Sequence, residues 1–291
     1  LIHKSKPAFS DGLTLQQGRL KNIIMPHMKL ITSARNEQLK HLSKLLGQAK
    51  FRRLHGQTVL EGVHLLQAYL DSGGQPLQVY IPEAKKDLPE IRAAVQTLPP
   101  DALTWVSQGI LSKITGLTEA EDLMTLIDIP FQTALPTEGD CVVLERVQDP
   151  GNVGTIMRST AAAGVKQLVL SRDCADVWAP KVLRAGMGAH FLLNIYDRAD
   201  LPGWSRRYIG GNIWATALSE TNNHNLYEMR LGEPAAWVFG NEGSGVSPEM
   251  LGHVHGCVKI PMIGQTESLN VAMAATVCLF EQMRQRLYSA R

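Results

Sequence analysis

Cysteine is scarce. The 291 residues hold four, Cys141, Cys174, Cys257 and Cys278, widely spaced and with no pair at metal-ligand spacing. That pattern excludes a disulfide framework and a cysteine-built metal site; it fits reduced core thiols in a cytoplasmic protein. Long apolar runs are missing as well. None reaches the roughly 20 residues that span a bilayer, so no membrane partner is expected. Residues 1–28 lack an apolar signal core and a small-residue cleavage site, and they read as an irregular N-terminal extension. No Gly-x-Gly-x-x-Gly follows a first strand, which counts against a Rossmann enzyme. No His/Cys/Asp cluster suggests a metal.

Net charge is also small, +2, but it is unevenly spread. Residues 29–53 carry seven basic residues and one acid, while residues 54–291 are net acidic. Within the basic segment Leu39, Leu42, Leu46 and Ala49 give an apolar helix face. Lys40, Lys44 and Arg52 recur at multiples of four on another face, with Lys50 and Arg53 nearby. A basic amphipathic helix reads either as a solvated face or as a phosphate-backbone contact. The acidic remainder favours the second, because it cannot supply non-specific affinity for a polyanion. Lys40, Lys44, Arg52 and Arg53, with Arg146 further on, are the expected RNA-binding residues.

The chain then alternates. Strands are expected near 58–60, 77–81, 103–106 and 123–129, and helices near 63–70, 88–98 and 108–115. That gives a small α/β domain over 29–130. Pro130, Pro136 and Gly139 mark a linker over 131–139. From 140 to 291 strands are expected near 141–147, 167–171, 191–196, 212–217, 235–240 and 257–260. Helices are expected near 152–163, 179–187, 202–208, 247–253 and 268–288. Alternation of this kind predicts a largely parallel sheet with ligands at the carboxyl ends of its strands.

Three stretches carry chemistry. Leu144-Glu145-Arg146-Val147-Gln148-Asp149-Pro150-Gly151-Asn152-Val153-Gly154-Thr155-Ile156-Met157-Arg158 is a strand, a tight turn and a helix bearing an arginine. Trp237-Val238-Phe239-Gly240-Asn241-Glu242-Gly243-Ser244-Gly245 is a buried strand entering a glycine-rich turn with one carboxylate. Ile260-Pro261-Met262-Ile263-Gly264-Gln265-Thr266-Glu267-Ser268-Leu269-Asn270 leaves a strand at a proline and enters a long amphipathic helix. Ser268 suits the N-cap of that helix and Asn152 the N-cap of the first. Gly154, one turn before Arg158, is expected to leave room for the guanidinium or for RNA.

In order and spacing, the three stretches resemble the three motifs of the SpoU (TrmH) family of RNA ribose 2′-O-methyltransferases, within the SPOUT class. The resemblance covers about residues 141–287. It implies a C-terminal SPOUT α/β domain with a parallel sheet and a deep trefoil knot, preceded by an L30e-like substrate-binding domain. It implies S-adenosylmethionine as methyl donor and a homodimer whose active sites are completed across the interface. The residues it points to for the donor are Gly240, Ile260 and Leu269. Phe239, Asn241, Gly243, Met262, Ala217 and Leu218 are expected to line the same cleft.

The expected catalytic set is Arg158, Asn152, Glu242, Ser268 and Asn270. The arginine matching Arg158 is implied to activate the ribose hydroxyl. Arginine stays protonated, so orienting phosphate and stabilising a developing alkoxide suit it better than acting as a base. Glu242 is expected to accept a hydrogen bond from Asn152, Ser268 or Arg158. One departure is Ala272, where relatives often carry serine. The expected substrate is large-subunit ribosomal RNA, by analogy with relatives of the same N-terminal arrangement. The alternatives are tRNA, or a non-catalytic RNA-binding or ribosome-assembly role.

Overall fold

The computed structural model describes residues 30–115, 123–132, 134–217, 223–266 and 268–289. The expected extension over 1–28, Lys29 and Leu218 lie outside them.

The first half runs β1 (Leu30–Ile31), α1 (Glu37–Gly47), α2 (Ala49–His55), β2 (Gln57–Glu61), α3 (Val63–Asp71), β3 (Gln78–Pro82), α4 (Pro89–Val95), β4 (Leu103–Val106) and β5 (Met124–Asp128). Its five-stranded sheet has the order β1-β4-β3-β5-β2, with β1, β4 and β3 parallel and β5 antiparallel to β3 and β2. The helix expected over 108–115 is only a single 3-10 turn at Leu111–Lys113. The basic segment also differs from expectation. Asn36 caps α1 by accepting from the Gln38 amide at 2.9 Å, and Leu39, Leu42 and Leu45 face the core. At Gln48 the backbone turns extended and α2 starts on a new axis. A stripe at multiples of four therefore cannot continue from Lys44 to Arg52.

The second half runs β6 (Cys141–Leu144), α5 (Pro150–Ala162), β7 (Gln167–Ser171), α6 (Pro180–Gly186), β8 (Asn194–Ala199), α7 (Leu201–Ser205), β9 (Asn212–Thr216), β10 (Asn223–Asn225), β11 (Ala235–Phe239), α8 (Pro248–Leu251), β12 (Gly256–Lys259) and α9 (Val271–Ser289). These strands form a parallel sheet of order β10-β12-β9-β11-β6-β7-β8. β6 and β11 are buried along their whole length, as central parallel strands covered on both faces must be. Val142 and Leu144 point to α5, α6 and α9, while Cys141 and Val143 point to α7 and α8. Because every strand runs the same way, all the carboxyl ends share one edge. β10 was not expected: Asn223-His224-Asn225 has no apolar pattern and pairs only at the sheet margin.

The two sheets share one apolar cluster. Leu60, Leu65, Tyr69 and Ile127 from the first pack with Val177, Trp178, Val182 and Ala189 from the second. The Thr58 hydroxyl donates to the Trp178 carbonyl at 2.9 Å. Arg52 reaches from α2 to Asp176, its Nε at 3.0 Å and a terminal nitrogen at 2.6 Å from one carboxylate oxygen. No helix of the described residues is long and apolar enough to cross a membrane.

A candidate active site at the carboxyl edge of the sheet

Loops leaving β6, β11 and β12 converge at the carboxyl edge. The loop after β11 closes on itself. Asn241 and Gly245 exchange backbone hydrogen bonds of 3.0 and 2.9 Å. The Asn241 side-chain oxygen accepts from the amides of Gly243 and Ser244, both at 3.0 Å, and its amide group donates to the Arg146 carbonyl at 2.9 Å. A Cβ at Gly240 would lie 2.3 Å from the backbone of Gly245 and Val246, so only glycine lets the loop fold this tightly against its strand. At the loop's end the buried Glu145 carboxylate accepts from the Ser247 amide at 2.7 Å and from its hydroxyl.

Glu242 stands at the junction. It accepts from the backbone amides of Asp149 at 3.0 Å and Gln148 at 3.3 Å, and from the Asn152 side chain at 3.0 Å. The Asn152 oxygen in turn accepts from the Asn270 side chain at 3.0 Å. One hydrogen-bonded chain, Glu242–Asn152–Asn270, thus ties all three motifs together. Partial burial pushes the Glu242 carboxyl up, but the bonds from Asn152 and the backbone amides outweigh it and hold it below its ordinary value. It is an anion at neutral pH.

Both helix caps differ from expectation. Asp149, not Asn152, caps α5, its carboxylate accepting from the Asn152 amide at 2.8 Å. Asn152 sits inside the first turn, which frees its side chain for Glu242 and Asn270. Asn270, not Ser268, caps α9, accepting from the Ala272 amide at 2.9 Å. In both cases the cap is the polar residue directly before the first helical one, Asp149 before Pro150 and Asn270 before Val271. Asp149 was missed although it directly precedes Pro150 at the first helical position, a start signal that could have found it.

Next to this chain lies a cavity of about 640 Å³, inside the roughly 300–1,000 Å³ range of small-molecule sites. Ala217, Gly240, Asn241, Glu242, Gly243, Ile260, Met262, Ser268, Leu269 and Asn270 line it as expected, with Thr216. Val246, Leu251, Lys259 and Ala274 also line it and were not foreseen. Phe239 does not: it is fully buried in the core under the sheet, because it is the last residue of a strand covered on both faces.

Other expected residues lie elsewhere. Gly154 does not make room for Arg158. Its missing side chain lets α6 approach, since a Cβ there would lie 2.4 Å from the Ala185 Cβ and 2.7 Å from the Gly186 nitrogen. Arg158 is exposed on α5, outside the cavity lining, with no hydrogen bond or ion pair within the described residues. It does not contact Glu242. Arg146 adopts φ 57° and donates to the Gly245 carbonyl at 3.3 Å, bracing the glycine loop. Arg52 is a correction: 4% exposed and bonded to Asp176 and to the Leu45 and Leu46 carbonyls, it is turned into the protein and not toward RNA. Lys40 pairs with Glu37 at 2.7 Å and Lys44 lies 5.5 Å from the centre of the Phe51 ring. Arg53 is exposed.

The family model of the SpoU rRNA methylase family matches residues 140–280, the span that builds this edge. The chain is 34% identical over 261 residues to an uncharacterized tRNA/rRNA methyltransferase of Synechocystis, covering 88% of this chain and 94% of that one. It is 30% identical to the 23S rRNA guanosine 2′-O-methyltransferase RlmP of Bacillus subtilis, covering 87% and 98%. The crystal structure of an AdoMet-bound rRNA methyltransferase from Sinorhizobium meliloti superposes with a TM-score of 0.75 at 27% identity, covering 88% and 98%. With the matching span coinciding with the three converging loops, and relatives aligned almost end to end, the chain belongs to the SpoU rRNA methylase family.

Proposed function

We propose that this protein transfers a methyl group from S-adenosylmethionine to a ribose 2′-hydroxyl of RNA in the cytoplasm, with 23S ribosomal RNA as substrate. The observation that carries the reading is the Glu242–Asn152–Asn270 chain, which joins the three motifs at the rim of the cavity. The names of the relatives support it: one is a 23S rRNA 2′-O-methyltransferase, and one structure of the fold holds AdoMet.

The cavity suits that donor. Ile260, Met262 and Leu269 offer apolar surface for a purine, and the backbone of Gly240 to Gly243 allows close approach to a ribose. Bound there, the donor would supply an electrophilic methyl on a sulfonium. The chain's own residues do the rest. Glu242, ionised, is acceptor-only; it fixes the loop and cannot act as an acid. Asn152, held from both sides, has its orientation set. Arg158 provides a permanent charge suited to an RNA phosphate or a forming alkoxide.

Arg158 stands outside its own chain's cavity, and α9 exposes Met273, Phe280 and Leu287. We infer a homodimer through α5 and α9 that brings Arg158 to the partner's cleft. The sheet order also supports a knotted path: β11 inserts between β6 and β9, and β12 between β9 and β10. Labelled donor and 23S transcripts test the function, followed by mass mapping of the label. The expected result is methyl on a ribose. Label on a base, or none from folded donor-binding protein, would overturn it.

A further inference from the structure

The carboxyl edge does not end at the donor cavity. Beyond Arg146, after β6, come Arg172, directly after β7, and Arg198, at the end of β8. These three strands are neighbours, spaced about 4.8 Å apart. The register between β7 and β8 shifts between Val169 and Ser171, and Ser171 pairs with Ala199. Such an irregularity re-aims a side chain, here that of Arg198. Non-glycine residues with positive φ are uncommon. Among the described residues there are three, and two of them are Arg146 and Arg198, both at 57°. Strain of this kind persists where function needs the side chain it places.

The row continues onto the first half of the chain. Arg53 of α2 lines a small recess together with Arg172 and Arg198, and the recess opens beside a second cavity of about 650 Å³. Phe131, Tyr196 and Trp178 line that cavity, with Arg53 and Arg198 at its rim. Phe131 is 82% exposed, an unusual place for a phenyl ring. The side chains of Arg53, Arg172 and Arg198 make no hydrogen bond or ion pair within the described residues, though the charges of Arg198 and Arg53 are felt at Asp197. Of the carboxylates here, Asp176 is paired with Arg52, while Asp197 and Asp200 keep their charge, Asp200 accepting only from the neutral Gly203 amide. Three arginines against two carboxylates leave the groove with a positive excess.

We propose that this edge is the path of the RNA strand: Arg172, Arg198 and Arg53 carry its phosphates away from the methylation site, and Phe131 with Tyr196 stacks an unpaired base in the second cavity. The proposal rests on the methyltransferase reading. Arginine suits phosphate by its planar fork, and aromatic rings hold single-stranded bases without regard to sequence. The path replaces the α1–α2 stripe, whose Arg52 is buried.

The test uses the full-length protein and a short labelled single-stranded RNA of mixed sequence. The variants are Phe131→Ala and the triple Arg53→Gln, Arg172→Gln, Arg198→Asn, all at exposed positions. For wild type the logarithm of affinity falls with the logarithm of salt, by about 0.7 per phosphate contact; the triple variant should flatten the slope by about two units. Phe131→Ala should weaken binding by roughly 5-fold to 100-fold at constant salt, the loss of one stacked base. Donor affinity should be unchanged in both. An unchanged slope, or a Phe131→Ala variant that alters oligomeric mass and leaves RNA affinity within threefold, overturns the path. Wild type that methylates RNA while the slope stays unchanged removes only the path; wild type that binds RNA along it without methyl transfer removes only the methyltransferase reading.

Discussion

Glu242 works as an anion, and its environment says over what range. Its folded pKa lies below its ordinary value of 4.5. Whatever the ionised clamp adds is therefore fully present above about pH 4.5 and is lost as the pH falls through the folded value. Donor affinity should be flat on this group's account from neutral pH down to about 5, then fall in acid. Glu242→Gln, which keeps one acceptor and loses the charge, should bind donor more weakly at pH 7 and lack the acid fall. Calorimetric titrations at pH 7 and pH 4 separate the two; an identical acid fall in the variant removes Glu242 as its cause. Arg158 poses the opposite case, a charge with no partner among the described residues. Arg158→Ala should leave donor binding near normal and slow methyl transfer by about 10² or more, as for one lost transition-state contact. Arg158→Lys should not restore it, because an ammonium cannot reproduce a bidentate fork. Transfer within threefold of wild type would make Arg158 structural.

Elements show where local pattern was enough and where it was not. The strand periodicity placed β6, β7, β9, β11 and β12, because each is a short apolar run closed by a polar or glycine turn. β10 was illegible, being three polar residues whose only structural reason is the neighbouring β12. The three motif loops could be read as residue sets, yet the Asp149 and Asn270 caps came out shifted: several oxygens near a helix start compete for one amide, and packing decides among them. Gly154 carries the same lesson. Its spacing from Arg158 was visible in the sequence, but the helix filling that space lies about thirty residues downstream. Two effects oppose each other in Gly154→Ala. Helix propensity gains about 1 kcal/mol, while forcing a methyl against the Gly186 backbone costs about 1–3 kcal/mol. Backbone cannot rotate away as a side chain can, so the clash wins and the variant should unfold at lower urea. A raised midpoint would mean that α5 and α6 separate easily.

At the scale of the molecule, the first sheet is fastened to the second rather than tethered. Arg52 supplies both ends of the argument, since it holds the Leu45 carbonyl in its own half and Asp176 in the other. Such a pair was invisible in sequence because its members are more than a hundred residues apart. Removing one partner of a buried pair costs about 3–5 kcal/mol, and Asp176 keeps some solvent, so the lower end applies. Arg52→Ala should shift unfolding to lower denaturant by that measure, and hydrogen exchange should rise first at β2 and α6. RNA affinity of the folded variant at low salt should change little, in contrast to what a phosphate-facing Arg52 would give.

The proposed dimer would make catalysis depend on two chains. Arg158 is exposed outside its own cavity, while α9, which packs against α5, exposes Met273, Phe280, Leu287 and Tyr288. An apolar face beside a cation with no partner among the described residues is what the proposed two-fold interface would cover, with each Arg158 reaching the other chain's donor cleft. Light scattering at micromolar concentration should then give twice the chain mass. A sharper measurement mixes two inactive variants. Arg158→Ala keeps the cavity and loses the cation; Gly240→Ala keeps the cation and, by its clash with the Gly245 backbone, forces the loop out of shape and spoils the cavity. A mixed dimer pairs the intact cation of one chain with the intact cavity of the other. Random exchange makes half the dimers mixed, each with one good site of two, so activity should return to about a quarter of wild type. If each site were built from a single chain, every site in the mixture would carry one of the two defects, and mixing would restore nothing.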